Sequence, residues 1–184
     1  MAINLQKGQR VSLGLKHLTV GLGWDPAANG QEFDLDATVC MLNDAKKLPS
    51  EGFFVYYNNP KSEDGACASS GDDRTGGNSE EGDDETISVD LDKLDSRVTS
   101  IVCAASIYEA ESRKQNFGQV QNSYIRICNA DTGEELCRYV LCEDFSVETA
   151  IEFGRLYLYK GEWKFEATGI GHKNGLQGIV DKYC

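Results

Sequence analysis

Apolar and polar residues alternate along most of this chain, and a period of two predicts strands with one buried and one exposed face. The runs that predict strands are residues 3–5, 11–15, 17–24, 33–42, 53–57, 86–91, 100–108, 123–128, 135–141, 148–159 and 163–167. Residues 100–108 are nearly all apolar, which predicts a strand buried on both faces. The apolar positions shift phase at Gly154, which predicts a bulge. Residues 175–183 predict one short helix.

Many short strands with turn residues between them, and almost no helical periodicity, are typical of an all-β fold. We therefore predict a β-sandwich of two antiparallel sheets, with long acidic loops and a short C-terminal helix. The chain has 184 residues, which is enough for one domain with a proper core and marginal for two. A single domain over residues 1–184 is the prediction.

The stretch from residue 63 to residue 85 interrupts the strand pattern. It holds nine acidic residues, one basic residue (Arg74) and five glycines. Like charges at this density repel one another, so the stretch is either a solvated loop or a segment held together by a cation. Carboxylate and carbonyl oxygens on a glycine-rich backbone suit Ca²⁺, which takes about six to eight oxygen ligands. No starting position in the stretch fits the spacing of an EF-hand loop.

Residues 33–37 alternate strictly, with Asp34 and Asp36 on one face of the predicted strand. Two carboxylates on one face stand roughly 7 Å apart, given a rise of about 3.3 Å per residue. That spacing allows them to bind one ion or to reach towards two. The alternative is a solvent-facing edge with two ordinary aspartates.

The net charge of −12 argues against electrostatic binding to nucleic acid or to an anionic membrane, both of which need basic patches. No apolar run reaches the length of a signal peptide or a transmembrane segment, so we expect no membrane insertion. The seven cysteines show no CxxC or CxxH spacing, which argues against a zinc site. We expect a cytoplasmic protein in which Cys103 and Cys128 are buried thiols, while Cys67 and Cys184 are exposed.

Several motifs together give the chain a family resemblance. They are GLGWD at residues 21–25, FDLDA at 33–37, YYNNPKSEDG at 56–65, GDDRTG at 71–76, GDDE at 82–85, FGQVQNSYIRI at 117–127 and GEWKFEATGIG at 161–171. In these motifs the chain resembles the TerD tellurium-resistance and bacterial stress-protein family. The resemblance implies a calcium-binding β-sandwich that holds two Ca²⁺ ions in acidic loops. It also implies a cytoplasmic stress role without catalysis, with partners among other tellurium-resistance proteins, some of them membrane-associated.

Together the acidic stretch and the resemblance predict the metal ligands. The first rank consists of Asp34, Asp36, Asn58, Asn59, Asp72, Asp83, Asp84 and Glu85. The second rank consists of Asp25, Asp73, Glu81 and Asp144. The function predicted is a Ca²⁺-dependent binding, scaffold or sensor module.

The resemblance also allows a site for a cyclic nucleotide or another small ligand, although no residue here requires one. Two further alternatives remain open. The first is a thiol-based redox or metalloid-handling protein, in which Cys137 and Cys142 meet across a turn. The second is a metal-dependent enzyme acting on a phosphorylated small molecule. Against the enzyme, the sequence has no phosphate-binding P-loop and only two histidines, His17 in a strand and His172 in a predicted loop.

Overall fold

The computed structural model describes residues 2–25, 33–70 and 82–184. Within those residues the chain forms twelve strands and two α-helices. In chain order the strands are β1 (Ile3–Leu5), β2 (Arg10–Ser12), β3 (His17–Asp25), β4 (Leu35–Leu42), β5 (Phe54–Val55), β6 (Cys67–Ser69), β7 (Glu85–Asp90), β8 (Ser100–Ile107), β9 (Gln121–Asn129), β10 (Glu135–Val140), β11 (Ala150–Tyr159) and β12 (Glu162–His172). The helices are α1 (Ala110–Arg113) and α2 (Gly175–Tyr183), and two short 3-10 helices span Glu51–Phe53 and Phe117–Gln119.

The strands form two six-stranded sheets that face each other. The first sheet has the order β1-β10-β9-β3-β7-β6, and the second has the order β2-β12-β11-β8-β4-β5. Among the described strands, β1 and β10 form the only parallel pair. The predicted β-sandwich with a short C-terminal helix is therefore confirmed. No helix in the described part of the chain is both long and apolar enough to cross a membrane.

The main core lies between the two sheets and follows the alternation in the sequence. In β3, for example, Leu18, Val20 and Leu22 are buried in the core. A second, smaller core lies on the outer face of the second sheet, where Ile179 and Tyr183 of α2 cover Val102 and neighbouring residues. All eight residues of β8 are buried, as predicted, because the main core covers one face and α2 packs against the other.

Several predicted strands differ in length from the observed ones, and the runs 53–57 and 163–167 are two of them. The run 53–57 was expected to form one strand, but β5 contains only Phe54–Val55. It ends there because Tyr56 and Asn59 exchange backbone hydrogen bonds in a tight turn. In contrast, β12 continues past the predicted end at residue 167, because β11 still pairs with it as far as His172. The predicted bulge at Gly154 is confirmed by a register shift in β11 between Glu152 and Gly154.

The prediction that Cys67 is exposed was wrong. Cys67 begins β6, pairs with Val89 of β7 and is fully buried in the main core. Its backbone N–H donates to Ser62 Oγ. The acidic stretch therefore contains a strand near its beginning, because β6 pairs with β7, which starts at the last residue of the stretch. Cys103 and Cys128 are buried and Cys184 is exposed, as predicted.

Candidate functional site

Four of the predicted metal ligands lie at one end of the sandwich, where β3 ends and where β4 and β7 begin. Leu22 near the end of β3 pairs with Glu85 at the start of β7. Asp84 directly precedes Glu85 in the sequence. Asp34 and Asp36 lie at the start of β4. We call the group Asp34, Asp36, Asp84 and Glu85 the acidic end. Two separate segments, residues 34–36 and 84–85, thus bring carboxylates to this end of the sandwich.

Asp36 and Glu85 are the two buried carboxylates of the acidic end. They are 6% and 4% exposed. Glu85 Oε2 accepts a hydrogen bond of 2.5 Å from the backbone N–H of Ala37. This amide belongs to the peptide group that joins Asp36 to Ala37, so the contact links the start of β7 in the first sheet to β4 in the second. The side chain of Glu85 therefore lies beside the backbone of the predicted ligand Asp36.

Asp34 and Asp84 complete the acidic end. The side chain of Asp34 is 13% exposed, and its Oδ2 lies 3.9 Å from Nη1 of Arg113 in α1. Asp84 Oδ2 accepts a hydrogen bond of 2.9 Å from the backbone N–H of Trp24. Asp84 is thereby fixed to the end of β3. The four side chains of the acidic end would offer carboxylate oxygens as metal ligands, and such oxygens suit a hard divalent cation.

Asp83 is held elsewhere, on the outer face of the first sheet. Its Oδ1 lies 2.7 Å from Nε of Arg126 and accepts a hydrogen bond of 3.0 Å from the Tyr124 hydroxyl. Burial, and then the charge of Asp83, raise the pKa of Tyr124 to about 12. Arg126 also pairs with Glu135. The assignment of Asp83 as a metal ligand stays a prediction, and its observed contacts give it a structural role.

The two asparagines occupy the turn after β5. Asn59 Nδ2 donates a hydrogen bond of 2.7 Å to the Phe54 carbonyl, so part of the Asn59 side chain stabilises the turn. Asn58 is exposed. The turn lies near the acidic end, since the neighbouring Tyr57 lines the same cavity as Asp36. Burial, and then the charge of Asp36, raise the pKa of Tyr57. Asn58 and Asn59 remain predicted ligands.

Of the remaining predicted ligands, two belong to the described residues and three do not. Asp25, at the end of β3, accepts a hydrogen bond from the Asn122 side chain. Asp144 is exposed in the loop between β10 and β11, where its Oδ1 accepts from the Ser146 backbone N–H. Asp72, Asp73 and Glu81 lie outside the described residues.

A cavity of about 1070 Å³ adjoins the acidic end, and Asp36 is part of its lining. Tyr57 and Tyr108 also line it, with their rings edge to face and their centroids 6.1 Å apart. The lining also includes Glu109, Glu111 and Lys173. One of the buried carboxylates of the acidic end is therefore reachable from a wide, polar and aromatic opening.

The structure also assembles a histidine–carboxylate group that the sequence analysis missed. One ligand atom each of His17, Asp90 and Asp92 lies within 4.8 Å of the others. The two carboxylates already pair with lysines: Asp90 with Lys93 at 2.8 Å and Asp92 with Lys16 at 2.6 Å. The group is thus a surface ion-pair cluster at the far end of β3. Only the pairing of His17 with Asp90 across β3 and β7 could have indicated it.

A second missed group surrounds Glu152 of β11, whose side chain is 3% exposed. Its carboxylate accepts hydrogen bonds from Lys182 Nζ at 2.8 Å and from the Tyr183 hydroxyl at 2.8 Å, both in α2. Nε2 of His172 lies 2.7 Å from it. The prediction that His172 belongs to a loop was wrong, because β12 extends to this residue. The group holds the C-terminal helix against the second sheet.

Most of the thiols are buried. Burial raises the pKa of Cys103 and of Cys137 to about 12. Burial also raises the pKa of Cys40 and of Cys67 well above the ordinary value. A thiol with a raised pKa holds little of the reactive thiolate at neutral pH. Only Cys142 and Cys184 are exposed.

Comparisons with known proteins agree over nearly the whole chain. A family model described as the TerD domain matches residues 1–183. General stress protein 16U of Bacillus subtilis is 46% identical over 190 residues, which cover 100% of this chain and 97% of that protein. Tellurium resistance protein TerD of Serratia marcescens is 43% identical over 189 residues, which cover 100% of this chain and 97% of that protein.

A solved structure of a related protein has the same fold. The crystal structure of a homologue of telluride resistance protein (TerD) from Streptomyces coelicolor matches with a TM-score of 0.69, over 92% of this chain and 96% of that chain. Its sequence identity to this chain is 21%, so the likeness speaks for the fold alone.

Proposed function

The chain belongs to the TerD domain family of tellurium-resistance and stress proteins, and from this premise we propose that it is a Ca²⁺-binding module of the stress response. The acidic end is the proposed calcium site. Asp36 and Glu85 are its central ligands, and Asp34 and Asp84 lie beside them. The role proposed is binding rather than catalysis.

The observation that carries this proposal is the contact between Glu85 Oε2 and the amide of Ala37. It places the buried carboxylate of Glu85 beside the backbone of Asp36, which is itself buried and lies 49 positions away in the sequence. Burying carboxylates is costly unless hydrogen bonds or cations compensate their charge. Each carboxylate offers about four lone-pair positions, so the oxygens of Asp36 and Glu85 can accept hydrogen bonds and still bind an ion.

The donor set fits calcium better than the other common protein metals. It consists of oxygens, whereas most zinc and copper sites include sulfur or nitrogen ligands. In the acidic end itself, the four side chains that define it are all carboxylates. When bound, Ca²⁺ would supply positive charge that offsets the repulsion among them. Asn58, Asn59, Asp72, Asp73 and Glu81 are proposed to complete the coordination, and two ions per chain remain the proposed stoichiometry.

Calcium bound at the acidic end would stabilise the packing of the two sheets against each other. Asp84 is fixed to the end of β3, and Glu85 is fixed to β4 in the opposite sheet. An ion shared by these carboxylates would therefore stabilise the contact between the two sheets. Ligands that bind only the folded state stabilise it by about 2.7 kcal/mol when present at 100 times their dissociation constant.

The test is isothermal titration calorimetry with Ca²⁺ on the chelator-treated full chain. We expect calcium to bind and to raise the unfolding temperature. Asp36→Asn and Glu85→Gln should each weaken binding by about tenfold or more, which corresponds to about 1.4 kcal/mol. Asp92→Asn is the matched control, because Asp92 is an aspartate in an acidic cluster at the opposite end of β3.

Two results would contradict the proposal. One is the absence of both heat and a thermal shift at millimolar calcium. The other is an equal loss of affinity in Asp92→Asn and Asp36→Asn, which would mean that calcium only screens the general negative charge. Mg²⁺ serves as the competing ion, since it demands a tighter octahedral site than calcium does.

The two alternatives can be weighed against the same structure. The raised pKa values of the buried thiols disfavour a thiol-based mechanism, which would have to use Cys142 or Cys184. A metal-dependent phosphoesterase could use the cavity beside Asp36. Metal-dependent turnover of p-nitrophenyl phosphate that is lost in Asp36→Asn would support this second alternative over a binding role.

Partners and cellular location follow only from the family. We propose that the protein acts in the cytoplasm with other tellurium-resistance proteins, some of them membrane-associated. Calcium-dependent co-purification of such proteins, compared between the wild type and Glu85→Gln, would test this. Equal recovery with both proteins would contradict a calcium-dependent interaction.

A further inference from the structure

A second cavity, of about 490 Å³, lies on the outer face of the second sheet beside the C-terminal end of α2. Leu42 at the end of β4 and Ser100 and Val102 of β8 belong to its floor. Asp36, in contrast, is near the start of β4, six residues from Leu42. At about 3.3 Å per residue, the two positions are roughly 20 Å apart along the strand. The cavity is therefore separate from the proposed calcium site.

Four cationic side chains come to this cavity from four parts of the chain. They are Lys7 from the turn after β1, Lys46 from the turn after β4, Arg155 from β11 and Lys182 from α2. In a chain with a net charge of −12, such a concentration of positive charge is unusual. Clefts that are lined by one sign of charge focus the electric field and attract ions of opposite sign.

The two carboxylates in the lining offset only part of this charge. Glu152 pairs with Lys182, and Glu166 pairs with Arg155 at 2.7 Å. Glu166 also pairs with Arg10 from outside the cavity. Lys7 Nζ donates to the neutral carbonyl of Gly169, so its charge is not offset by that contact.

Lys46 likewise has no carboxylate partner among the described residues. It lies exposed in a turn, and it forms no ion pair with any residue in ranges 2–25, 33–70 and 82–184. Lys7 and Lys46 thus line the cavity as two positive charges that form no ion pair with a carboxylate in the described part of the chain.

Ser100 supplies an independent observation. It is 1% exposed and lines the cavity, and its Oγ has no hydrogen-bond partner among the described residues. Buried hydroxyls without a partner are uncommon in folded proteins, since leaving one unsatisfied is costly. The Thr168 side chain and the Tyr183 ring also line the cavity. A ligand oxygen that accepts from the Ser100 hydroxyl would satisfy it.

The floor is partly apolar, through Leu42, Val102 and the half-exposed Ile170. A site with an apolar floor and a few convergent polar groups is typical of small-molecule binding. We propose that this cavity binds a small organic anion, a carboxylate or a phosphate monoester attached to an apolar group. The anion would lie between Lys7 and Lys46, and the apolar part would lie on the floor.

The test is a two-dimensional amide NMR titration of the full chain with phenyl phosphate, benzoate and benzylammonium. These probes share a ring and differ in the charged group. We expect the amides of Lys46, Ser100 and Thr168 to shift with one or both anions at millimolar concentration, and not with the cation. The comparison of phenyl phosphate with benzoate identifies which anion the site prefers. No shifts with either anion, or equal shifts with benzylammonium, would overturn the proposal.

Charge reversal provides a matched pair of variants. Lys46 has a φ of 62° and Lys160, in the turn between β11 and β12, has a φ of 52°. Both are exposed turn lysines, so Lys46→Glu and Lys160→Glu change the net charge and the backbone strain alike. Lys46→Glu should raise the dissociation constant of the preferred anion by about fivefold or more, while Lys160→Glu should change it by less than about twofold. Equal effects would show non-specific charge attraction and overturn the proposal.

Ser100→Ala tests the buried hydroxyl. Because Ser100 Oγ makes no hydrogen bond in the described structure, its removal should leave the free protein as stable as the wild type or more so. The same change should weaken anion binding. Unchanged affinity in both Ser100→Ala and Lys46→Glu would overturn the assignment of the site.

Discussion

The carboxylate of Asp83 lies against the α-carbon of Gly21, in the space that a β-carbon at position 21 would occupy. Gly21 is in the middle of β3, on the face that points away from the core. The missing side chain lets Asp83 reach Arg126 and Tyr124 across the outer face of the sheet. The glycine of the GLGWD motif thus holds an ion pair in place.

Gly21→Ala should therefore destabilise the protein. The added methyl group forces Asp83 away from Arg126, and overpacking of this kind costs about 1–3 kcal/mol. Urea unfolding followed by circular dichroism would measure the change in the free energy of unfolding. A stability within about 0.5 kcal/mol of the wild type, the range of ordinary surface changes, would contradict the prediction.

A double-mutant cycle separates this clash from a general effect of the methyl group. In an Asp83→Ala background the carboxylate is gone, while Arg126 still has Glu135 as a partner. Gly21→Ala should then cost less than it does in the wild type, because contacting residues give non-additive effects. Equal costs in both backgrounds would show that Asp83 is not the cause.

Glu152 anchors the C-terminal helix, and Glu152→Gln should loosen it. The change removes a buried charge that accepts hydrogen bonds from Lys182 and Tyr183 of α2. Lys182 is partly exposed and can turn to water, so we expect a loss of about 1–3 kcal/mol. An increase in amide hydrogen exchange over the wild type that is larger in α2 than in β8 would locate the loss. Asp181→Asn, an exposed change in the same helix, should leave both measurements nearly unchanged.

The same group predicts a dependence on pH. Burial alone would raise the pKa of Glu152, but hydrogen bonds from His172, Lys182 and Tyr183 together lower it below the ordinary value. A carboxyl group with a lowered folded pKa adds stability above the unfolded pKa of about 4.3, and this stability is lost as the pH falls through the folded pKa. Between pH 7 and strongly acidic pH, the wild type should therefore lose more stability than Glu152→Gln. Parallel stability curves would contradict this assignment.

The sequence was sufficient for the parts of the fold that depend on local pattern. Alternation predicted β3 and β7, continuous apolarity predicted the fully buried β8, and the phase shift at Gly154 predicted the bulge in β11. These features are set by which face of a strand is buried. In contrast, β6 was missed because its residues lie in a stretch dominated by acidic and glycine residues, and only pairing with β7 makes it a strand.

In the candidate site, too, local sequence predicted some features, while others depend on contacts between distant parts of the chain. Composition predicted that acidic residues gather in one region, and the structure does bring Asp34, Asp36, Asp84 and Glu85 to one end. The sequence could not separate Asp83 from its neighbours, because Arg126 lies 43 positions away. Nor could it predict that Lys7 and Lys46 meet at one cavity, since that depends on how two sheets and a helix pack.

Thiol reactivity should divide the seven cysteines into two groups. Cys142 and Cys184 are exposed, and the other five are buried. Reaction of the native protein with a chromogenic disulfide reagent should therefore modify two thiols quickly, and the rest only after unfolding. Cys142→Ser combined with Cys184→Ser should abolish the fast phase. A fast phase that persists in this double variant would show that a buried thiol becomes accessible.

Tyr57 can report whether calcium binds beside Asp36. Burial, and then the charge of Asp36, raise the pKa of Tyr57 above its ordinary value. A cation bound by Asp36 would offset that negative charge, so calcium should lower the pKa of Tyr57. The measurement is the phenolate absorbance at alkaline pH, taken as the difference between the wild type and Tyr57→Phe, with calcium and with chelator.

The control for this measurement is Asp36→Asn, in which the charge is already absent and calcium should leave the Tyr57 titration unchanged. If calorimetry shows calcium binding to the wild type while the Tyr57 titration stays the same, the ion binds away from Asp36. The proposed site would then be wrong even though the protein binds calcium. The two measurements together therefore separate the question of whether calcium binds from the question of where it binds.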